Sequence, residues 1–222
     1  MKIDQDTLLY GSFAEKAGSK GCKLFNTCFD YYQLNAIYKS FSVNNIKQAV
    51  EAARTLDIKG FAVTMPYKID ILPYLDEHSE EVETIGAANT VINNEGILKS
   101  YNTDYLAAES LLRPLPSSGN LTKCVLYILG DGGYSKAVQH AAQNLNLSYS
   151  IINRTNWTDI KDIQHSTIYN CTPVEHVQYH DSNNFIDCIG STLTGQRLGR
   201  LQASYQFKLY TGLEMPIINK LN

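Results

Sequence analysis

No run of this 222-residue chain is apolar for long enough to cross a bilayer, so no membrane partner is expected. Basic charge is not in excess either: 19 lysines and arginines face 22 acidic residues, for a formal net charge of -3. Non-specific nucleic-acid binding needs a basic face to displace counterions from phosphates, and this balance argues against it. A small anionic ligand stays open, because a few local charges suffice for that. The residues from Met1 to Asp6 lack the basic-then-apolar order of a signal peptide. The five cysteines form no Cys-x-x-Cys pair, and the five histidines show no zinc-like spacing. Neither a disulfide framework nor a metal site is expected, and scattered reduced thiols point to a cytoplasmic protein.

What is present is globular: 44% of residues are apolar and 18% charged. In the first half, Leu8–Phe13, Ala36–Phe41 and Gly60–Thr64 read as strands. Leu24–Leu34 and Asn44–Leu56 read as helices between them, the second with Ile46, Ala49, Val50, Ala53 and Leu56 on one face and Asn44 as N-cap. Thr90–Asn93 and Ile97–Tyr101 flank Asn94-Glu95-Gly96 as a hairpin. Strands alternating with helices in this way predict an α/β fold with a largely parallel sheet.

Arg113–Asn120 combines two prolines, a glycine and polar residues, and is the expected connection between two domains. After it come a buried-type strand, Lys123–Leu129, and the turn Gly130-Asp131-Gly132-Gly133. A helix over Tyr134–Leu145 and a strand over Ser148–Ile152 complete a βαβ unit. Glycines there let a backbone approach a pyrophosphate, and the helix N-terminus offers free N–H groups. A glycine turn alone is weak evidence; its flanking elements make cofactor binding the better reading. Arg154, at the end of the second strand, stands where dinucleotide folds select NADP over NAD, with Thr155 beside it; a solvated surface arginine is the plain alternative. Asp131 would repel a pyrophosphate unless its side chain points outward.

Taken alone, Lys68 and Asp104 read as a solvated lysine and a helix N-cap. Together with their neighbours they read differently. Val63-Thr64-Met65-Pro66-Tyr67-Lys68, Ile85-Gly86-Ala87-Ala88-Asn89-Thr90-Val91 and Tyr101-Asn102-Thr103-Asp104 resemble, in order and spacing, the shikimate dehydrogenase family. Gly130–Gly133, Asn153-Arg154-Thr155, Asn170-Cys171-Thr172-Pro173 and Gly212-Leu213-Glu214-Met215 continue the likeness.

That resemblance implies an N-terminal α/β substrate domain, residues 1–106 plus 213–222. It also implies a shortened Rossmann-type NADP-binding domain, residues 107–212. It further implies reversible reduction of 3-dehydroshikimate to shikimate, with Lys68 and Asp104 as the catalytic pair. Ser19, Thr64, Asn89 and Asn219 would contact substrate. Gly130, Gly132, Gly133, Asn153, Arg154, Thr155, Thr172, Gly212 and Met215 would hold NADP.

The sequence also departs from the family pattern. The second serine of the carboxylate clamp is Gly21, the expected tyrosine is Gly190, and the late glutamine is Asn219. Too few residues separate Arg154 from Cys171 for the usual further helix and strand, and the closing helices are not expected. Their loss would leave an apolar face for an oligomer, a homodimer in the simplest case, to cover. Quinate or another hydroxylated ring acid is an alternative substrate, and a non-catalytic binding protein is the alternative from another class.

Overall fold

In the first half, side-chain alternation sets the fold. β1 (Leu8–Ala14) turns Tyr10 to one face of a sheet and Phe13 to the other, each into its own cluster of buried side chains. The computed structural model describes residues 3–115 and 126–217. They form two units, one running from the N-terminus to Thr103 and resuming at Ala203, the other spanning Asp104–Gln202.

The first unit continues with α1 (Lys20–Tyr31), β2 (Ala36–Ser42), α2 (Ile46–Thr55), β3 (Gly60–Val63), β4 (Glu77–His78), α3 (Glu80–Ile85), β5 (Thr90–Asn94) and β6 (Ile97–Tyr101). Its sheet has the order β2-β1-β3-β5-β6-β4. β1 pairs parallel to β2 and β3, whereas β5 runs antiparallel to both β3 and β6. One face packs Phe13, Phe61 and Val63 against Ile46, Val50 and Ala53 of α2. The N-cap of α2 is Asn45, not Asn44: its backbone is extended, and its side chain accepts the Gln48 N–H at 3.1 Å.

The second unit holds α4 (Asp104–Leu112), β7 (Leu126–Leu129), α5 (Gly133–Asn144), β8 (Tyr149–Ile152), β9 (Thr167–Asn170), β10 (Asn184–Asp187) and the start of α6 (Leu193–Thr211). Its sheet, β10-β9-β7-β8, is parallel throughout. Leu126 and Ile128 pack under Ala108 and Leu112 of α4 and Val138, Ala141 and Ala142 of α5, while Leu129 packs with Ile152, Ile160 and Ile163 on the other side.

Several expectations need correction. Between Arg154 and Cys171 the chain does fit further structure, a 3-10 helix over Trp157–Asp162 and then β9. A 3-10 helix rises about 2.0 Å per residue against 1.5 Å in an α-helix, so few residues bridge the distance. The closing helix is also present. Ala203, Phe207 and Tyr210 of α6 join Phe25, Phe29 and Tyr38 in one cluster and cover the second face of the first sheet. Residues 203–212, expected in the dinucleotide domain, therefore group with the first unit. The proline-rich segment from 113 to 120 lies mostly outside the described residues, and the units divide at Thr103/Asp104.

Among the described residues, no helix is long and apolar enough to cross a membrane. No cluster of metal-binding side chains occurs among them either. Cys22 and Cys188 are free thiols.

Candidate active site

Strand direction gathers the motifs of the first unit. β3 ends at Val63 while the antiparallel β5 starts at Thr90, and β6 ends at Tyr101 opposite that same Thr90. The segments that follow β3, precede β5 and follow β6 thus meet at one end of the sheet, where open α/β sheets bind ligands. Backbone hydrogen bonds tie them together. Asn89 O accepts from Val63 N–H at 2.8 Å, and Asn89 N–H donates to Tyr101 O at 3.1 Å. Ala88 N–H donates to the carbonyl of Lys68 at 2.8 Å. Tyr67 anchors the same loop, its hydroxyl donating to Val43 O at 2.6 Å. Lys68 is half-buried there and Thr64 exposed.

Asn89 is buried, and its amide is fully oriented. Oδ1 accepts from Thr103 N–H at 2.8 Å and from the Thr90 hydroxyl at 2.9 Å, while Nδ2 donates to Thr103 Oγ1 at 3.0 Å. Asp104 is buried too, and opens α4 in the second unit. Ser19 comes from the loop between β1 and α1. It is exposed at the start of α1 without capping it, and lines a cavity of about 460 Å³ with Cys22, Lys39, Ser40 and Ser42. That cavity lies along β2, on the flank of β1 opposite β3.

The predicted cofactor residues gather at the C-terminal edge of the second sheet. Gly130 takes a left-handed φ of 98°, and a Cβ there would come within 2.9 Å of Thr172 Cγ2. Only glycine fits both the conformation and the space. Gly132 precedes α5 without a side-chain cap, so the first N–H groups of the helix are not claimed by a capping side chain. Asp131 is exposed. After β8, Asn153 Oδ1 accepts from Thr155 N–H at 2.9 Å and Oγ1 at 2.7 Å, which leaves Arg154 exposed at the turn. Thr172 is held likewise by Asn170 Oδ1, 3.0 Å from its N–H and 2.7 Å from its hydroxyl.

Under this edge, the Tyr134 hydroxyl at the start of α5 lies 3.0 Å from that of Tyr169. Burial pushes both phenols well above their usual value, and it pushes the nearby Cys188 thiol up to about 12.

Gly212 and Met215 lie in the stretch from Ala203 onward that groups with the first unit. Gly212 ends α6 in a left-handed conformation, φ 73°, and Met215 packs on the cluster around Phe207 in the first unit. Asn219 lies outside the described residues. The residue that sequence reasoning missed is Gln206, which is buried and donates to Thr90 Oγ1 at 3.0 Å. Its signal was available, because Ala203, Gln206, Phe207 and Tyr210 fall on one helical face and an amide on such a face invites a reason.

Comparison with known proteins places these features in context. A family model described as the shikimate dehydrogenase substrate binding domain matches residues 15–91. A shikimate dehydrogenase-like protein of Haemophilus influenzae is 37% identical over 142 residues, 64% of this chain and 51% of that protein. A protein named shikimate dehydrogenase (NADP(+)) from Caldanaerobacter subterraneus is 38% identical over 159 residues, 70% of this chain and 56% of its own length. In sequence the chain thus spans about half the length of the curated relatives it matches. In structure, shikimate dehydrogenase from Aquifex aeolicus superposes with a TM-score of 0.81 at 26% identity, covering 97% of this chain and 96% of that one.

Proposed function

The chain belongs to the shikimate dehydrogenase family, and from that premise we propose that it is an NADP-dependent oxidoreductase interconverting 3-dehydroshikimate and shikimate. One observation carries the reading: the segments bearing Lys68 and Asn89 are hydrogen-bonded together at the ligand-binding end of the first sheet.

The residues of the second sheet's edge fit a dinucleotide. Gly130, Gly132 and Gly133 would let a pyrophosphate approach the start of α5, and the exposed Arg154 would meet a 2′-phosphate. Asn153, Thr155 and Thr172 shape the two flanking turns. When bound, the nicotinamide supplies or takes up the hydride.

The rest of the chemistry belongs to the chain. As hydride leaves the ring carbon of shikimate, the hydroxyl proton on that carbon passes to the Lys68 amine; in the reverse direction the ammonium returns it to the nascent alkoxide. In this reading Asp104 is the partner carboxylate that keeps the lysine directed at that oxygen. Asn89 donates to a ring hydroxyl, Thr64 adds a second polar contact, and Ser19 with neighbouring lysines draws the carboxylate.

Calorimetric titration tests the ligand assignments. Shikimate and NADP should each bind, NADP more tightly than NAD. Failure of both to bind a folded sample would overturn the proposal. Gly21 and Gly190 stand where the family has polar side chains that bear on substrate choice, so quinate is the second ligand for the same titration. Quinate binding tighter than shikimate would change the substrate and leave the reaction class intact.

A further inference from the structure

We infer that Gln206 is a positioning residue: through Thr90 it fixes the Asn89 amide as a hydrogen-bond donor toward the ligand. The inference rests on the ring-acid reading above and deepens it. Thr90 and Gln206 are buried, with 0% and 4% of their surface exposed, so water does not readily substitute for either. Gln206 Nε2 donates to Thr90 Oγ1 at 3.0 Å. A hydroxyl that accepts there directs its single proton elsewhere, and Asn89 Oδ1 lies 2.9 Å away. The Asn89 carbonyl is then saturated by Thr90 O–H and Thr103 N–H, and only Nδ2 retains a hydrogen to offer.

Gln206 Nε2 also reaches Asn89 O at 3.3 Å, the same carbonyl that accepts from Val63 N–H. It therefore braces the point where β3 and β5 hand the chain to the two motif segments. α6 contributes a polar tie to the site although its residue touches no reacting atom. The consequence for specificity is a site that favours a hydroxyl or carboxylate oxygen opposite Asn89. An ammonium group there would meet another donor.

The experiment combines kinetics with the Asn89 side-chain amide resonances in nitrogen-15-labelled full-length protein, assigned by their loss in Asn89→Ala. Gln206→Leu should lower kcat/KM for shikimate about tenfold, the scale of one lost buried hydrogen bond. It should cause no further loss on an Asn89→Ala background, because both changes cut one chain of bonds. It should also broaden the Asn89 resonances or speed their hydrogen exchange. Additive kinetic losses with unchanged resonances would overturn the inference. If the unaltered protein converts no ring acid, the functional reading falls. The resonances then decide alone: unperturbed in Gln206→Leu, they dismiss the positioning role, and perturbed, they uphold it. If Gln206→Leu does not fold, Thr90→Val cuts the same chain one bond later and is read by the same criteria.

Discussion

The carbonyl oxygen of Lys68 accepts a 2.8 Å hydrogen bond from the backbone N–H of Ala88. Main chain therefore helps to set the position of this lysine. Lys68→Ala should fold like the parent, with a stability change of about 1 kcal/mol or less, as for most half-buried surface positions. Thermal unfolding with circular dichroism checks this. A collapse of the melting temperature would give Lys68 a structural role instead.

Gly130 and Gly132 separate conformation from ligand approach. At Gly130 a methyl group meets both a left-handed φ and Thr172 Cγ2, so Gly130→Ala should cost about 1–3 kcal/mol. At Gly132 nothing lies within 4 Å of an added Cβ, so Gly132→Ala should leave the fold nearly unchanged. If the turn cradles a pyrophosphate, that second variant still loses NADP affinity. Unchanged affinity would move the phosphates away from Gly132.

Arg154 is exposed beyond the end of β8. Arg154→Ala should weaken NADP binding about tenfold or more, the scale of a charged hydrogen bond, and leave NAD almost unaffected. Equal losses for both nucleotides would show that Arg154 does not read the 2′-phosphate.

The phenols of Tyr134, Tyr169 and Tyr210, the last two buried, make stability fall at alkaline pH. Burial raises all three above their usual value near 10. Above that pH the unfolded chain has released protons that the native chain still holds, so unfolding is favoured as pH rises. Below it the contribution is complete. Denaturant melts from neutral pH upward should show stability constant at first and declining beyond about pH 10, with tyrosinate absorbance from these rings appearing only on unfolding. Their titration in the folded protein at the usual value would contradict the burial.

Much of this was legible in the sequence. Short apolar runs marked every long strand of the first sheet, and the three motif segments meet because strand register leaves no other place for them. Less legible was α6. Its apolar face is interrupted by Gln206, its role depends on α1 far away in sequence, and so the closing helix was expected to be missing when it was in hand. Met215, which the family resemblance offers as a cofactor contact, packs on the cluster around Phe207, a placement that only the tertiary fold reveals. Near Arg154, a 3-10 helix took the place of an α-helix in a stretch too short for the latter.

The measurement that bears most directly on the central claim is the absorbance of reduced nicotinamide after mixing the protein with shikimate and NADP, run beside Lys68→Ala. The account predicts steady NADPH formation by the parent and none by the folded variant. Equal rates in both would remove Lys68 from the chemistry. No NADPH from a correctly folded parent with shikimate, quinate or related ring acids would mean that this chain is not a dehydrogenase.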